Sequence, residues 1–293
     1  MTKEYKVAGH IFSLTMPDGC RIWDFLGQYD PFVTAAPSGD PLFGLELTDS
    51  LPEGEREIAF DAPTEDGQTV IRLYHQGSDW FIEMSPDHNI PIKAEVLASG
   101  DFRNARIRII GRKVSDALFA VNNALMLLYA FNTAGLGTLE MHASVIRNEG
   151  RSYLFLGKSG TGKSTHSSLW LKHIEGSELM NDDNPIVRVL PDGSVVAYGS
   201  PWSGKTPCYR NEEAPVGAFV RIRQCPDNKI ARMSLVESYA TIYSSSSGFK
   251  SMREMADALH LTMEKVVTTV PCYVLDCRPD EEAALLCAKT VRG

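Results

Sequence analysis

Gly157-Lys158-Ser159-Gly160-Thr161-Gly162-Lys163-Ser164-Thr165 is the stretch whose reading decides the fold. From Gly157 to Ser164 it fits G-x-x-x-x-G-K-[ST], the pattern of a loop that cradles the phosphate chain of a nucleotide. Each fixed position has a physical reason. The glycines let the backbone curl so that its N–H groups point inward, at phosphate oxygens. Lys163 brings a compact positive charge to the outer phosphates. The hydroxyl of Ser164 is a ligand for the Mg²⁺ that travels with them.

The flanks supply the context such a loop needs. Residues 152–156, Ser-Tyr-Leu-Phe-Leu, are an apolar run rich in strand formers. Residues 164–174 read as a helix, and Gly176 stands where a C-cap is expected. The loop then feeds a helix N-terminus, which favours anions.

A phosphate loop also needs a metal partner and a group that activates the acceptor. Asp182 and Asp183 follow an apolar run one helix further on. That spacing predicts the C-terminal end of a neighbouring strand, where ligands gather in α/β sheets. Adjacent strand residues point to opposite faces, so one carboxylate can serve the metal and the other the acceptor. The plainer alternative is an acidic turn capped by Asn184. His142 lies on the strand before the loop, either lining the site or packed in the core. Lys205, in the glycine-containing segment 198–206, is either a phosphate contact or a solvated loop lysine. Arg221 and Arg223 share a strand face, as a charge-neutralising cation or as structural ion pairs.

Composition sets the outer bounds. The chain has 293 residues, 43% of them hydrophobic and 23% charged, with a formal net charge of -8. That is ordinary for a globular protein and argues against a general nucleic-acid binder. The six cysteines form no C-x-x-C pair, so they suggest neither a zinc site nor a dithiol, and scattered thiols fit a reducing compartment. The N-terminus lacks an apolar signal core, and the apolar helix at 117–131 is interrupted by Asn122 and Asn123. The expectation is a cytoplasmic protein with neither a membrane nor a nucleic-acid partner.

Along the chain, residues 1–111 read as a β-rich domain. Strands are expected at 5–14, 69–74, 80–84 and 105–110, and 31–54 is expected as loop. Residues 112–293 read as the nucleotide-binding domain. It opens with a buried helix at 114–131 and continues with alternating strands and helices. The strands are 141–146, 153–156, 178–180, 186–190, 195–198, 218–223 and 272–275. The helices are 164–174, 234–243, 251–267 and 280–290. The turn Pro191-Asp192-Gly193 makes one connection a hairpin, so the expected fold class is α/β with a mixed sheet. The serine run 244–248 is expected as a mobile loop.

The order His142, phosphate loop, Asp182-Asp183 resembles the catalytic domain of HPr kinase/phosphorylase and its relatives, whose nucleotide core is shared with phosphoenolpyruvate carboxykinase. The resemblance covers roughly 136–293. It implies a carboxykinase-like P-loop core and a kinase using ATP and Mg²⁺ to phosphorylate a hydroxyl. Lys163 and the loop from Gly157 to Thr165 hold the phosphates, with Lys205 a further candidate. Ser164 and one aspartate, provisionally Asp183, support the metal. The other aspartate is the base, and His142 lies beside the transferred phosphate. Segment 195–205 departs from the glycine-rich stretch with which HPr kinases engage their protein substrate. The acceptor is therefore open between a small molecule, a peptide and a protein, and homo-oligomerisation is a further expectation. The alternatives are a non-catalytic nucleotide-binding regulatory module and a carboxykinase-type enzyme.

Overall fold

Alternating apolar residues at the N-terminus build the first of two sheets in a computed structural model of the chain, described at all residues except 37–38, 62–68, 205, 249 and 251. The chain divides into two compact units, Met1–Asn132 and Thr133–Gly293. It is a mixed α/β protein with two mixed sheets.

The first unit carries β1 (Thr2–Val7), β2 (His10–Thr15), β3 (Phe43–Leu47), β4 (Glu57–Asp61), β5 (Val70–Gln76), β6 (Asp79–Ser85), β7 (Ala94–Ala98) and β8 (Asn104–Ile109). They run in the order β1-β2-β3-β8-β7-β6-β5-β4, with β3 parallel to both β2 and β8. The expected strand at 5–14 is a hairpin: Ala8 and Gly9, with φ of 48° and 81°, turn the chain between β1 and β2. The expected loop at 31–54 contains β3. Phe43 and Leu45 are buried on one face, while Gly44 lets β3 approach the Ser13 side chain. Proline and glycine neighbours hid this short strand from a pattern reading.

Helix α1 (Val114–Thr133) goes with this unit, so the units divide at 132/133 rather than at the expected 111/112. The reason is contact. Asn122 Oδ1 accepts from Tyr29 Oη at 2.7 Å and Gln28 Nε2 at 3.2 Å, and Tyr129 Oη donates to Val7 O at 3.1 Å. The run Val114–Leu136 is long and apolar enough, by length and composition alone, to cross a membrane. Here its asparagines are bonded into a folded core.

The second unit carries β9 (Thr138–Glu140), β10 (Ala143–Asn148), β11 (Arg151–Leu156), β12 (Glu178–Asp183), β13 (Ile186–Val189), β14 (Val195–Tyr198), β15 (Glu213–Gln224), β16 (Lys229–Arg232) and β17 (Cys272–Cys277). Its helices are α2 (Lys163–His173), α3 (Leu235–Ser245), α4 (Arg253–Thr269) and α5 (Glu281–Val291). The order β12-β10-β11-β15-β14-β13-β9 is joined at β15 by β17, which also pairs with β16. Among the described pairs of this second sheet, only β11–β15 and β15–β17 are parallel. The long β15 organises the sheet: its first residues pair with β14 and its last six with β17. Helices α2 and α5 cover one face, where Trp170 and Cys287 from the helices join Phe155 and Leu275 of the strands in one core. Truncating the fully buried Trp170 to Ala would cost about 3–5 kcal/mol. Packing at this level fixes where the N-terminus of α2, and so the phosphate loop, stands above the strand ends.

The serine run, expected to be a mobile loop, is instead bonded to the sheet. His142 N donates to Ser245 O at 2.6 Å, Ser247 N donates to Glu140 O at 2.8 Å, and Met141 bridges Ser246. Backbone bonds, invisible to composition, hold it.

Candidate active site

The phosphate loop leaves β11 and enters α2. Gly157 has φ 148°, and a Cβ there would lie 2.5 Å from Thr161 Oγ1, so only glycine fits. Thr161 folds back, its hydroxyl donating to Lys158 O at 2.8 Å. Gly162, at φ 101°, is the N-cap of α2, whose first-turn N–H groups have no partners within the helix. Ser144 Oγ and Ser167 Oγ, 2.6 Å apart and both buried, tie β10 to α2 and set the His142 segment beside the loop.

His142, Lys163 and Asp183 form a chain. Lys163 Nζ is 2.7 Å from His142 Nε2 and donates to Gly157 O at 3.1 Å. An ammonium only donates, so Nε2 accepts and the imidazole proton sits on Nδ1. Nδ1 lies 3.0 Å from Asp183 Oδ1 and donates to it. The bond from His142 holds the Asp183 carboxyl below the usual carboxylate range, with burial opposing and Lys163 assisting. Burial lowers the Lys163 pKa, opposed by the charges of Asp183 and Asp182. Two of the three ammonium donors are engaged, which leaves one for a phosphate oxygen.

The two aspartates part company at the end of β12. Ser164 Oγ donates to Asp182 Oδ1 at 3.1 Å, while Asp183 meets His142. The sequence reading paired Ser164 with Asp183 at the metal; the residue against Ser164 is Asp182. Strand alternation separates the two side chains, and the loop lies on the Asp182 side. A hydroxyl and a carboxylate side by side are hard oxygen donors of the kind that Mg²⁺ takes, so these two residues fit such an ion.

Asp183 has φ 119°, a region that side-chain-bearing residues rarely adopt. Its surroundings fix it there. The fully buried Asn181 donates to Ser200 Oγ at 3.2 Å and Trp202 O at 3.3 Å, and accepts from Asn184 N at 3.0 Å. Ser203 Oγ and Gly204 N both donate to Asp182 O, at 2.9 and 2.8 Å. A Cβ on Gly204 would stand 2.9 Å from Asp183 Cβ and Oδ2.

Other residues singled out from the sequence fare differently. Arg223 makes a bidentate pair with Asp276 at 2.6 and 2.7 Å, so it is a structural ion pair. Lys205 lies outside the described residues. Sequence reasoning missed Asn181, Ser203, Gly204 and Glu140. Glu140 is 4% exposed, its Oε1 has no partner, and burial pushes its pKa up to about 8. The available signal was a carboxylate set among Leu139, Met141 and Ala143. On α2, His166 Nε2 accepts from Trp170 Nε1 at 3.2 Å, and burial lowers its pKa to about 4. It is therefore neutral, with its proton on an unpartnered, buried Nδ1.

No family model and no curated protein sequence matches the chain. Among solved structures it is similar to the HPr(Ser) kinase/phosphatase from Coxiella burnetii, at 13% identity and a TM-score of 0.32, over 52% of this chain and 88% of that chain. The likeness is a distant structural resemblance.

Proposed function

We propose that the protein is an ATP- and Mg²⁺-dependent phosphotransferase that phosphorylates a hydroxyl group, built on a carboxykinase-like P-loop core related to that of the HPr kinases. The observation that carries this reading is the convergence of five side chains: Ser164 on Asp182, and His142 bridging Lys163 and Asp183. A nucleotide-binding module without chemistry needs the loop alone, not a histidine-held carboxylate beside it.

The loop amides and the remaining donor of Lys163 hold the β- and γ-phosphates. Ser164 and Asp182 would hold Mg²⁺, which would supply neutralisation of the phosphate charge. Asp183, ionised and oriented by His142 Nδ1–H, accepts the proton of the acceptor hydroxyl. The acceptor oxygen forms its bond to the γ-phosphorus as the bond to the bridging oxygen breaks, and ADP leaves with that electron pair. Transfer of this kind rests on positioning and charge stabilisation more than on a strong base, which suits a carboxylate of low pKa.

The test is transfer of label from γ-labelled ATP into fractionated cell extract. Wild type should label an acceptor, and Lys163→Ala should lower transfer by about 100-fold or more while keeping the fold. Asp182→Asn should raise the Mg²⁺ needed for half-maximal transfer about tenfold. Asp183→Asn should lower turnover at saturating Mg²⁺. Nucleotide binding that all three variants retain, with no labelled acceptor, would refute the reading in favour of a regulatory module.

A further inference from the structure

The serine run Ser244-Ser245-Ser246-Ser247 has no part in the chemistry described so far, yet it lies against the residues that carry it. It follows α3 and runs antiparallel to Glu140-Met141-His142. Met141 bridges Ser246, His142 N donates to Ser245 O at 2.6 Å, and Ser247 N donates to Glu140 O at 2.8 Å. This register sets Ser245 opposite His142 and Ser247 opposite Glu140. Residues two apart on a strand share a face, and directly opposed residues have Cβ atoms about 5 Å apart. Ser245 and Ser247 therefore stand on the face of His142, whose ring meets Lys163 Nζ and Asp183 Oδ1.

The hydroxyls divide in the same way. Ser244 Oγ donates to Thr241 O at 3.0 Å and Ser246 Oγ donates to Tyr243 O at 3.2 Å, so both are engaged by the last turn of α3. Neither the Ser245 nor the Ser247 hydroxyl has a hydrogen-bond partner among the described residues. Ser245 is 7% exposed, and an idle hydroxyl at such a position is destabilising unless function calls on it. A cation stands by the run. Lys250 Nζ donates to Ser246 O at 2.8 Å and to Tyr243 O, which leaves one ammonium donor for a phosphate oxygen. Its charge offsets part of the roughly −1.5 to −2 that a phosphoserine carries.

We propose that the protein phosphorylates its own serine run, on the hydroxyls that share the His142 face, Ser245 and Ser247. The proposal rests on the reading of the site as a phosphotransferase and names an acceptor for it. In the step, Asp183 takes the hydroxyl proton and the serine Oγ forms its bond to the γ-phosphorus. The bond from that phosphorus to the bridging oxygen breaks, and ADP leaves with the electron pair. An acceptor tethered beside the phosphate needs no bimolecular encounter, which favours it over free hydroxyl compounds.

The test uses the purified chain with γ-labelled ATP and Mg²⁺ and nothing else. Label should appear in the tryptic peptide 233–250, at a rate per chain that is unchanged by about tenfold dilution of the protein. Replacing Ser245 and Ser247 together by Ala should lower labelling about 100-fold, whereas replacing Ser244 and Ser246 together should leave it within about twofold. Nucleotide binding by calorimetry shows that each variant is folded, and fragment ions of the wild-type peptide assign the residue without any variant. Label on Ser244, Ser246 or outside 233–250, or a rate per chain that rises in proportion to protein concentration, would overturn the proposal. So would a chain that stays unlabelled while it transfers phosphate to a component of cell extract, a result that leaves the phosphotransferase reading standing. If neither the chain nor any component of the extract is labelled, that reading fails and the proposal with it.

Discussion

Replacing Glu140 by Gln should make the second unit more stable, and increasingly so as the pH rises. The reason lies in the burial of the carboxyl. Glu140 is 4% exposed with an unpartnered Oε1, and its pKa is pushed from 4.5 to about 8 by desolvation. Below pH 4.5 the folded and unfolded chains both carry the proton, and the group exerts no pH-dependent effect. Between pH 4.5 and about 8 the folded chain keeps the proton and the unfolded chain releases it, so stability falls as pH rises. At about 1.4 kcal/mol per pH unit, the loss reaches about 3 kcal/mol at pH 7 and about 4 kcal/mol at pH 8, then levels off near about 5 kcal/mol as the folded group ionises too. Glutamine keeps the shape and does not ionise. Any fixed cost of its buried amide shifts the whole curve without changing the slope. The assay is urea unfolding between about pH 5 and pH 8, followed by the fluorescence of Trp170 and Trp202 with Trp23 and Trp80 replaced by Phe. The gap between Glu140→Gln and its parent should widen by about 3 kcal/mol or more over that range. A gap constant to within about 1 kcal/mol would mean that Glu140 ionises in the fold at its ordinary pKa, and the burial argument would be refuted.

Two further outcomes follow from the Asp183 corner. Asp183→Gly should be more stable than Asp183→Ala by about 1 kcal/mol or more, the reverse of the usual order, because φ 119° is open to glycine and strained for alanine; denaturant midpoints decide it. Gly204→Ala should cut transfer about 100-fold while nucleotide affinity holds, because its Cβ would meet Asp183 at 2.9 Å and displace the carboxylate from its working position; unchanged turnover in a label-transfer assay would sink that reading.

What could be read from the residues alone follows a physical divide. Positions whose identity is dictated by local chemistry were legible: the glycines and Lys163 of the loop, Ser164, and the carboxylates at a strand end. So were helices α2 to α5, whose apolar periodicity, or for α2 the loop that precedes it, marks them without help from tertiary contacts. The helix α1 was found but assigned to the wrong unit, since its partners Val7, Gln28, Tyr29 and Phe102 are far off in sequence. The strand β16, exposed and paired only with β17, offers no alternation to detect. The bonds that hold the serine run against Glu140 and His142 are backbone to backbone and carry no side-chain signature.

The division of the aspartate pair belongs to the same divide, and the backbone explains it. Strand alternation says that Asp182 and Asp183 face apart, but not which one faces the loop. That choice is made by the register of β12 on β10, where Asp182 stands opposite Ser144 and Asp183 opposite Ala143, and by the approach of Gly204. Asp183 is then held at a φ that costs about 1–3 kcal/mol. Asn181, fully buried and bonded to Ser200, Trp202 and Asn184, fastens the end of β12, while Ser203 and Gly204 grip Asp182 O. A residue kept in such a conformation by so many neighbours is over-determined. A glycine would relieve the strain, so the carboxylate must be what the position retains. Its bond to His142 keeps that carboxylate ionised beside Lys163, which is the state in which it can take a proton from an acceptor.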